Sequence, residues 1–256
     1  MKAVVCHQYG PPEVLQIAQV PKPVPTDNEV LVKIRATTVA VADIRVRGFN
    51  IPSSFWIPAR LMLGITKPRK PILGVEMAGE IEAVGKNVTR FKVGDTVYGE
   101  AMLKFGAYAE YTCFAETGNI AHKPANISFE LAATIPIGAR TAMNYLKKGG
   151  VGKGHKVLIY GASGSVGTYA VQMAKVMGAE VTGVCSSNNT ALVKSLGADD
   201  VLNYDQPNFT SQLGKYDAIF VAIDKIPFAL CLSVLNPGGA YINITVPVPS
   251  PAMMWA

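Results

Sequence analysis

The 256-residue sequence is poor in charge: Asp, Glu, Lys and Arg together make up 16% of it. Hydrophobic residues make up 49%, which excludes a disordered chain and leaves ample material for a packed core. Cysteine is scarce: Cys6, Cys113, Cys185 and Cys231 lie far apart, and none forms a C-x-x-C pair. That scatter excludes a disulfide framework and a four-Cys zinc lobe. It suits buried thiols in a reducing compartment, with the cytoplasm as the expected address. No apolar run reaches the roughly 18 residues of a bilayer crossing, and the sequence turns polar after Cys6, too early for a secretory leader. No membrane association is therefore expected. The formal charge is +6, yet no block of five like charges occurs. Lys67-Pro68-Arg69-Lys70, the densest basic stretch, is too short to suggest a nucleic-acid partner. His7, His122 and His155 have no carboxylate or thiol at catalytic spacing, which argues against a triad.

What the sequence does contain is two patterns in succession. Up to about residue 120 it reads as β-rich. Residues 29–37 alternate strictly, with Val30, Val32, Ile34 and Ala36 on one face and Leu31, Lys33 and Arg35 on the other. Residues 80–84, 96–98 and 106–113 read as further strands, with turns at Gly85-Lys86-Asn87 and Val93-Gly94-Asp95. Short strands joined by Gly-rich turns suggest a barrel or sandwich. The stretch 49–71, with Phe55, Trp56, Arg60 and Met62, reads either as a lid or as a helix packed on that barrel.

Residues 129–145 are helix-prone, with a break predicted at Pro136 and Gly138. Strands and helices then alternate. Strands are predicted at 157–160, 181–185, 201–204, 218–223 and 240–245, and helices at 165–177, 190–196 and 227–235. Val157-Leu158-Ile159-Tyr160 is apolar throughout, as a strand buried on both faces requires. This is the pattern of an α/β, doubly wound parallel sheet. The alternation stops after five strands, at Pro247-Val248-Pro249-Ser250-Pro251, and Met253-Met254-Trp255-Ala256 resembles the opening of another apolar element. A complete dinucleotide fold has about six strands, so the sheet is expected to be incomplete and the chain truncated at its C-terminus.

The sharpest motif follows the first parallel strand: Gly161-Ala162-Ser163-Gly164-Ser165-Val166-Gly167. A pyrophosphate needs backbone N–H donors and close approach, and a helix N-terminus supplies the donors together with a positive dipole end. Gly164 would let the phosphates come near, and Gly167 would let the helix pack on the strand. Counted from Ala162 the motif is A-x-G-x-x-G, with Ala at the first glycine of the usual fingerprint. It can also be read as a glycine turn that serves packing alone. After the second strand, where an acid would hold the ribose 2′-hydroxyl of NAD, the sequence reads Ser186-Ser187-Asn188-Asn189. Hydroxyls and amides suit a 2′-phosphate, which points to NADP(H), although the same residues could simply cap the next helix.

Several ordered blocks carry a family resemblance. They are Tyr9-Gly10-Pro11-Pro12-Glu13-Val14-Leu15, Gly74-Val75-Glu76-Met77-Ala78-Gly79, Arg90-Phe91-Lys92-Val93-Gly94-Asp95, Gly106-Ala107-Tyr108-Ala109-Glu110-Tyr111, the phosphate loop, Ser195-Leu196-Gly197-Ala198-Asp199 and Asn236-Pro237-Gly238-Gly239. In these the whole sequence resembles the zinc-independent medium-chain dehydrogenases/reductases of the quinone oxidoreductase (zeta-crystallin-like) group. The resemblance implies a GroES-like catalytic domain, assigned to residues 1–120, and a Rossmann NADP-binding domain, assigned to 121–256, with the active site in the cleft between them.

It also implies site residues. Zinc-dependent relatives have Gly-His-Glu where this sequence has Gly74-Val75-Glu76, and their first Cys ligand falls near Asp43, so no metal is expected. Thr141 matches a family Thr near the nicotinamide and phosphates, and Tyr204 matches a Tyr at the adenosine 2′-phosphate. With Ala162, Ser163, Gly164, Ser165, Val166, Gly167, Ser186, Ser187 and Thr245, which closes the fifth strand, they make up the cofactor-binding set. Relatives with a Lys after the second strand differ here, where Asn189 and Thr190 stand. Ala40 replaces a family Asn, and Arg45 stands where an aromatic or Lys is usual. Arg45 is the candidate to polarise a substrate carbonyl, or else an ordinary surface cation. Asp43 reads as a structural cap.

The function implied is NADPH-dependent hydride transfer to a quinone or an activated C=C bond of an enone. The partners implied are a small-molecule substrate and, through an open sheet edge, a second copy in a homodimer. Two alternatives stay open: a zinc-free carbonyl or alcohol reductase, and a non-catalytic NADPH-binding redox sensor.

Overall fold

The computed structural model describes residues 1–245. The stretches 247–251 and 253–256, expected to open a further element, lie outside the described residues. The chain forms two compact units, the first Met1–Pro136 and the second beginning at Ile137.

In the first unit, β1 (Lys2–Cys6) and β2 (Leu15–Gln19) form an antiparallel hairpin. The main sheet contains β3 (Glu29–Thr37), β4 (Glu76–Val84), β5 (Thr96–Glu100), β6 (Tyr111–Ala115) and β7 (Ile120–His122) in the antiparallel order β6-β3-β4-β5-β7. The alternation in β3 does what its period predicts: Val30 and Val32 join Met77, Ile81, Val97, Phe114 and Ile120 in one core. Between the strands run α1 (Val41–Gly48) and α2 (Trp56–Leu63). After the sheet comes α3 (Phe129–Ala133), capped by the Ser128 hydroxyl, with Ala132 and Ala133 packed on Ala78 of β4.

Asp43 ties α1 to the sheet. Its carboxylate is 2% exposed and accepts the N–H groups of Ala40 (3.1 Å) and Gly74 (2.9 Å). Burial pushes its carboxyl up, and those two donors pull it back. This is the structural cap the sequence suggests. Nearby, the Tyr108 hydroxyl is buried with no partner of normal geometry, and burial followed by the Asp43 charge pushes its phenol up.

The stretch 49–71 carries the short helix α2, which is pinned in place. The Arg60 guanidinium lies 3.7 Å from the ring centre of Phe49 and 4.8 Å from those of Tyr9 and Trp56, and it donates to the Ile65 carbonyl at 2.6 Å. The Tyr9 hydroxyl donates to the Gly64 carbonyl at 2.8 Å. Phe49 ends α1 at a left-handed φ of 50°, which a bulky residue adopts only when its surroundings hold it.

The second unit begins within α4 (Ile135–Lys148) and continues through β8 (Lys156–Tyr160), α5 (Ser165–Val176), β9 (Glu180–Cys185), α6 (Thr190–Ser195), β10 (Asp200–Asn203), β11 (Tyr216–Val221), α7 (Phe228–Val234) and β12 (Leu235–Asn243). The five strands are parallel in the order β10-β9-β8-β11-β12. Val157 and Ile159 join the core under α5, while Leu158 and Tyr160 join the core on the opposite face. The apolar run of β8 is thus buried on both sides, as a doubly wound sheet demands. The chain steps outward from β8 to β9 and β10, then returns to β11 on the other side of β8. This places a topological switch point at the C-terminal ends of β8 and β11.

The structure departs from the sequence-based expectations in five places. The fifth parallel strand, expected at 240–245, runs Leu235–Asn243, because its pairing with β11 begins at Leu235 opposite Tyr216, and Thr245 lies beyond its end. The strand expected at 106–113 starts at Tyr111 instead, because residues 106–108 spend their N–H groups on Leu73 and Gly74. The helical stretch at 129–145 breaks at Thr134, not at Pro136 and Gly138. Pro136 falls in the first turn of α4, where its missing N–H would be unpaired anyway, and Gly138 is needed because a Cβ there would lie 2.7 Å from the Tyr169 ring. The hairpin β1–β2 lacked a strong turn signal and was not anticipated. The first unit runs past residue 120, because β7 pairs with β5 and α3 packs on the same sheet.

Replacing Arg60 with Ala empties the aromatic box. We expect a loss of about 2 kcal/mol in urea unfolding, with Arg60→Lys restoring little because the planar guanidinium is what stacks. Equal stability of Arg60→Ala and the parent would show that the box does not hold the segment.

Candidate active site

At the switch point, the turn after β8 is tied to β9: the N–H groups of Gly161 and Ala162 both donate to the Val184 carbonyl at 3.0 Å. Gly161 has φ +85°, and the Gly164 N–H closes the turn on the Gly161 carbonyl at 3.0 Å. Gly164 is the N-cap of α5 and supplies no side chain, and the first helical bond runs from the Thr168 N–H to the Gly164 carbonyl. The N–H groups of Ser165, Val166 and Gly167 therefore have no partner within the helix and sit at its positive end.

The two glycines of this turn do different work. A Cβ on Gly167 would lie 2.1 Å from the Gly161 carbonyl oxygen, so only glycine lets α5 close on the strand. A Cβ on Gly164 would meet nothing nearer than 3.4 Å. Packing does not demand glycine at 164, and the space above it is open. Three converging donors under a bare backbone form a cradle that paired phosphates fit. Ser163 and Val166 are half-buried, Ser165 is exposed and Ala162 is buried beneath the turn. α4 reaches the same place: the Ser165 hydroxyl lies 3.2 Å from where a Gly138 Cβ would be, and Thr141 follows three residues later on that helix face.

At the end of β9 the structure adds a residue that reading along the chain missed. Ser187 donates through its N–H (2.9 Å) and its hydroxyl (2.7 Å) to the two carboxylate oxygens of Asp205. Those donors hold the Asp205 carboxyl below the usual range. The signal was present in the strand register. Cys185 pairs with Asn203, so Ser187 and Asp205 each stand two residues beyond a matched strand end. The absence of an acid after β9 holds along the sequence but not in space. The Ser186 hydroxyl accepts from the Asn189 amide at 2.9 Å, and Tyr204 is 44% exposed, its ring 6.4 Å from that of Tyr160. The Thr245 hydroxyl and N–H both donate to Asn243 Oδ1, at 2.6 and 2.8 Å, so this hydroxyl is engaged within its own strand end.

In the first unit, Arg45 is exposed on the last turn of α1, and no ion pair to it occurs among the described residues. Val75 is 3% exposed and apolar. The neighbouring Glu76 is buried and accepts the Thr38 hydroxyl at 2.7 Å.

Comparison with known proteins agrees with both halves. Residues 26–125 match the family described as alcohol dehydrogenase GroES-like domain, and residues 165–253 match the family described as zinc-binding dehydrogenase. The chain is 36% identical to a chloroplast envelope quinone oxidoreductase homolog of Arabidopsis thaliana, over all of this chain and 77% of that protein. It is 32% identical to a 2-methylene-furan-3-one reductase of Solanum lycopersicum, over 98% of this chain and 64% of the relative. Among solved structures, the quinone oxidoreductase from Coxiella burnetii superposes with a TM-score of 0.82 at 29% identity, over 95% of this chain and 75% of that one. The chain belongs to the medium-chain dehydrogenase/reductase family, in its quinone oxidoreductase group, and its GroES-like and Rossmann-like sheets are those of an oxidoreductase of that family.

The two glycines should separate by experiment. Gly167→Ala is expected to cost ~3 kcal/mol or more of stability in thermal or urea unfolding, since a backbone carbonyl must move. Gly164→Ala is expected to unfold like the parent yet bind dinucleotide about tenfold more weakly in a fluorescence titration. Unchanged affinity in Gly164→Ala would remove the phosphates from this helix end.

Proposed function

We propose that the protein is a zinc-independent reductase that uses NADP(H) to transfer hydride to a quinone or to the β-carbon of an enone. The observation that carries this reading is the open space over Gly164 at the three free N–H groups of α5. The names of the relatives, quinone oxidoreductases and a 2-methylene-furan-3-one reductase, support both kinds of acceptor.

The residues divide the work. Ser163, Ser165, Val166 and Gly167 hold the phosphates, with Ala162 packed beneath and Thr141 flanking the nicotinamide side. Ser186, Ser187 and Tyr204 face the adenosine ribose, and Thr245 lines the neighbouring strand end. NADPH, when bound, supplies the hydride. As a C–H bond forms at the acceptor carbon, the displaced electron pair moves to the carbonyl oxygen, and water supplies the proton that completes the product. Arg45 is assigned the charge that grows on that oxygen. Val75, in place of a histidine, makes zinc unnecessary to this scheme. The four unpaired cysteines suit a reducing compartment such as the cytoplasm. The homodimer proposed from sequence would pair through β12, one of the two edge strands of the parallel sheet among the described residues.

Mixing the protein and NADPH with a panel of small quinones and enones is expected to consume NADPH absorbance, to reduce C=C rather than C=O in the enones, and to proceed unchanged after dialysis against a zinc chelator. Tight NADPH binding without turnover across the panel would replace this reading with a non-catalytic sensor. Allylic alcohol as product would replace it with a carbonyl reductase. Arg45→Ala is expected to lower kcat/KM at least about tenfold while leaving the NADPH Kd in place. An unchanged kcat/KM would make Arg45 a surface cation.

A further inference from the structure

We infer that Asp205 sets the coenzyme preference by occupying the donors that a 2′-phosphate would use, so that NADPH binds more weakly than the hydroxyl-rich loop alone would allow and NADH is admitted. This rests on the dinucleotide reading given above.

The geometry at the end of β9 carries it. The Ser187 N–H and hydroxyl are donors at the start of the turn that leads from β9 into α6. In this chain an anion is already present on them: both oxygens of Asp205 are engaged, one by each donor. The surrounding polar groups are also paired among themselves. The Thr190 hydroxyl donates to Asn203 Oδ1 at 2.8 Å, and the Asn189 amide donates to the Ser186 hydroxyl. Lys and Arg are absent from residues 186–193, so no cation there outweighs the carboxylate. A ribose 2′-hydroxyl next to Asp205 meets no repulsion. A 2′-phosphate brings about two negative charges against a third.

The test is a set of binding titrations on the full chain with NADPH and with NADH, each followed by ligand fluorescence. It compares the parent with Asp205→Asn, Ser187→Ala and the double variant, all checked for parental unfolding curves. Asp205→Asn keeps the shape and removes the charge. It should tighten NADPH about tenfold and leave the NADH Kd within about twofold. Ser187→Ala should weaken NADPH less in the parent, where Asp205 holds the donors, than in the Asp205→Asn background. In the Asp205→Asn background, where the hydroxyl is released to the phosphate, it should weaken NADPH severalfold. That coupling is one a purely structural role for the pair would not produce. Two results overturn the inference: an unchanged NADPH-to-NADH ratio in Asp205→Asn, or a loss of NADH affinity with NADPH unaltered, which would make the carboxylate a direct acceptor of the ribose hydroxyl. Failure of every variant and the parent to bind either nucleotide is a different outcome and would overturn the dinucleotide reading itself.

Discussion

The second unit depends on one close approach, that of the Gly167 backbone to the Gly161 carbonyl oxygen. Because no side chain stands between them, α5 lies directly on the turn that ends β8, and its first N–H groups open at the switch point of the sheet. A helix N-terminus leaves several backbone donors without acceptors at one point. Lack of a capping side chain at Gly164 keeps them so. The chemistry proposed for this protein needs little more from the second unit than that geometry, held rigidly by β8 and β9.

A charge-poor chain has to place its anions with care, and many of them sit on backbone donors. Asp43 takes the N–H groups of Ala40 and Gly74. Asp199 takes that of Val181 together with the Lys175 ammonium, and Asp217 takes that of Lys156. The last two lie at the N-terminal ends of β9 and β8, opposite the glycine turn that opens α5. The sheet is therefore satisfied from within at one end and left with open donors at the other. Such asymmetry lets a fold be stable and still have an unfilled site. Asp205 is the exception, an exposed carboxylate on the backbone and hydroxyl donors of Ser187 at the C-terminal end of the sheet.

Much of this was legible in the sequence because it rests on local periodicity. The two-residue alternation of 29–37, the unbroken apolar run of β8 and the stripe of α5 each follow from which faces are covered, so the two architectures and the glycine turn between β8 and α5 could be read directly. What escaped reading depends on distance in space. Asp205 belongs to the strand after the one it serves, and only the pairing of Asn203 with Cys185 brings it there. Arg60 was visible as a cation among aromatics, but its function as a pin required Tyr9, far back in the sequence. The break at Thr134 was misplaced because Pro was weighed as a helix breaker without its position in the first turn. Hairpin β1–β2 was missed because its connection is long and its second strand half-exposed.

The contrast between the two glycines also bears on how such a protein could change over generations. A single-base change turns a glycine codon into an alanine codon. At Gly167 that change strikes the architecture itself, so it is removed whatever the protein is used for. At Gly164 the scaffold tolerates it, and under the proposed reading only the dinucleotide would register the difference. A lineage released from its cofactor could drift at the second position and stay folded, so that residue serves as a record of continued use.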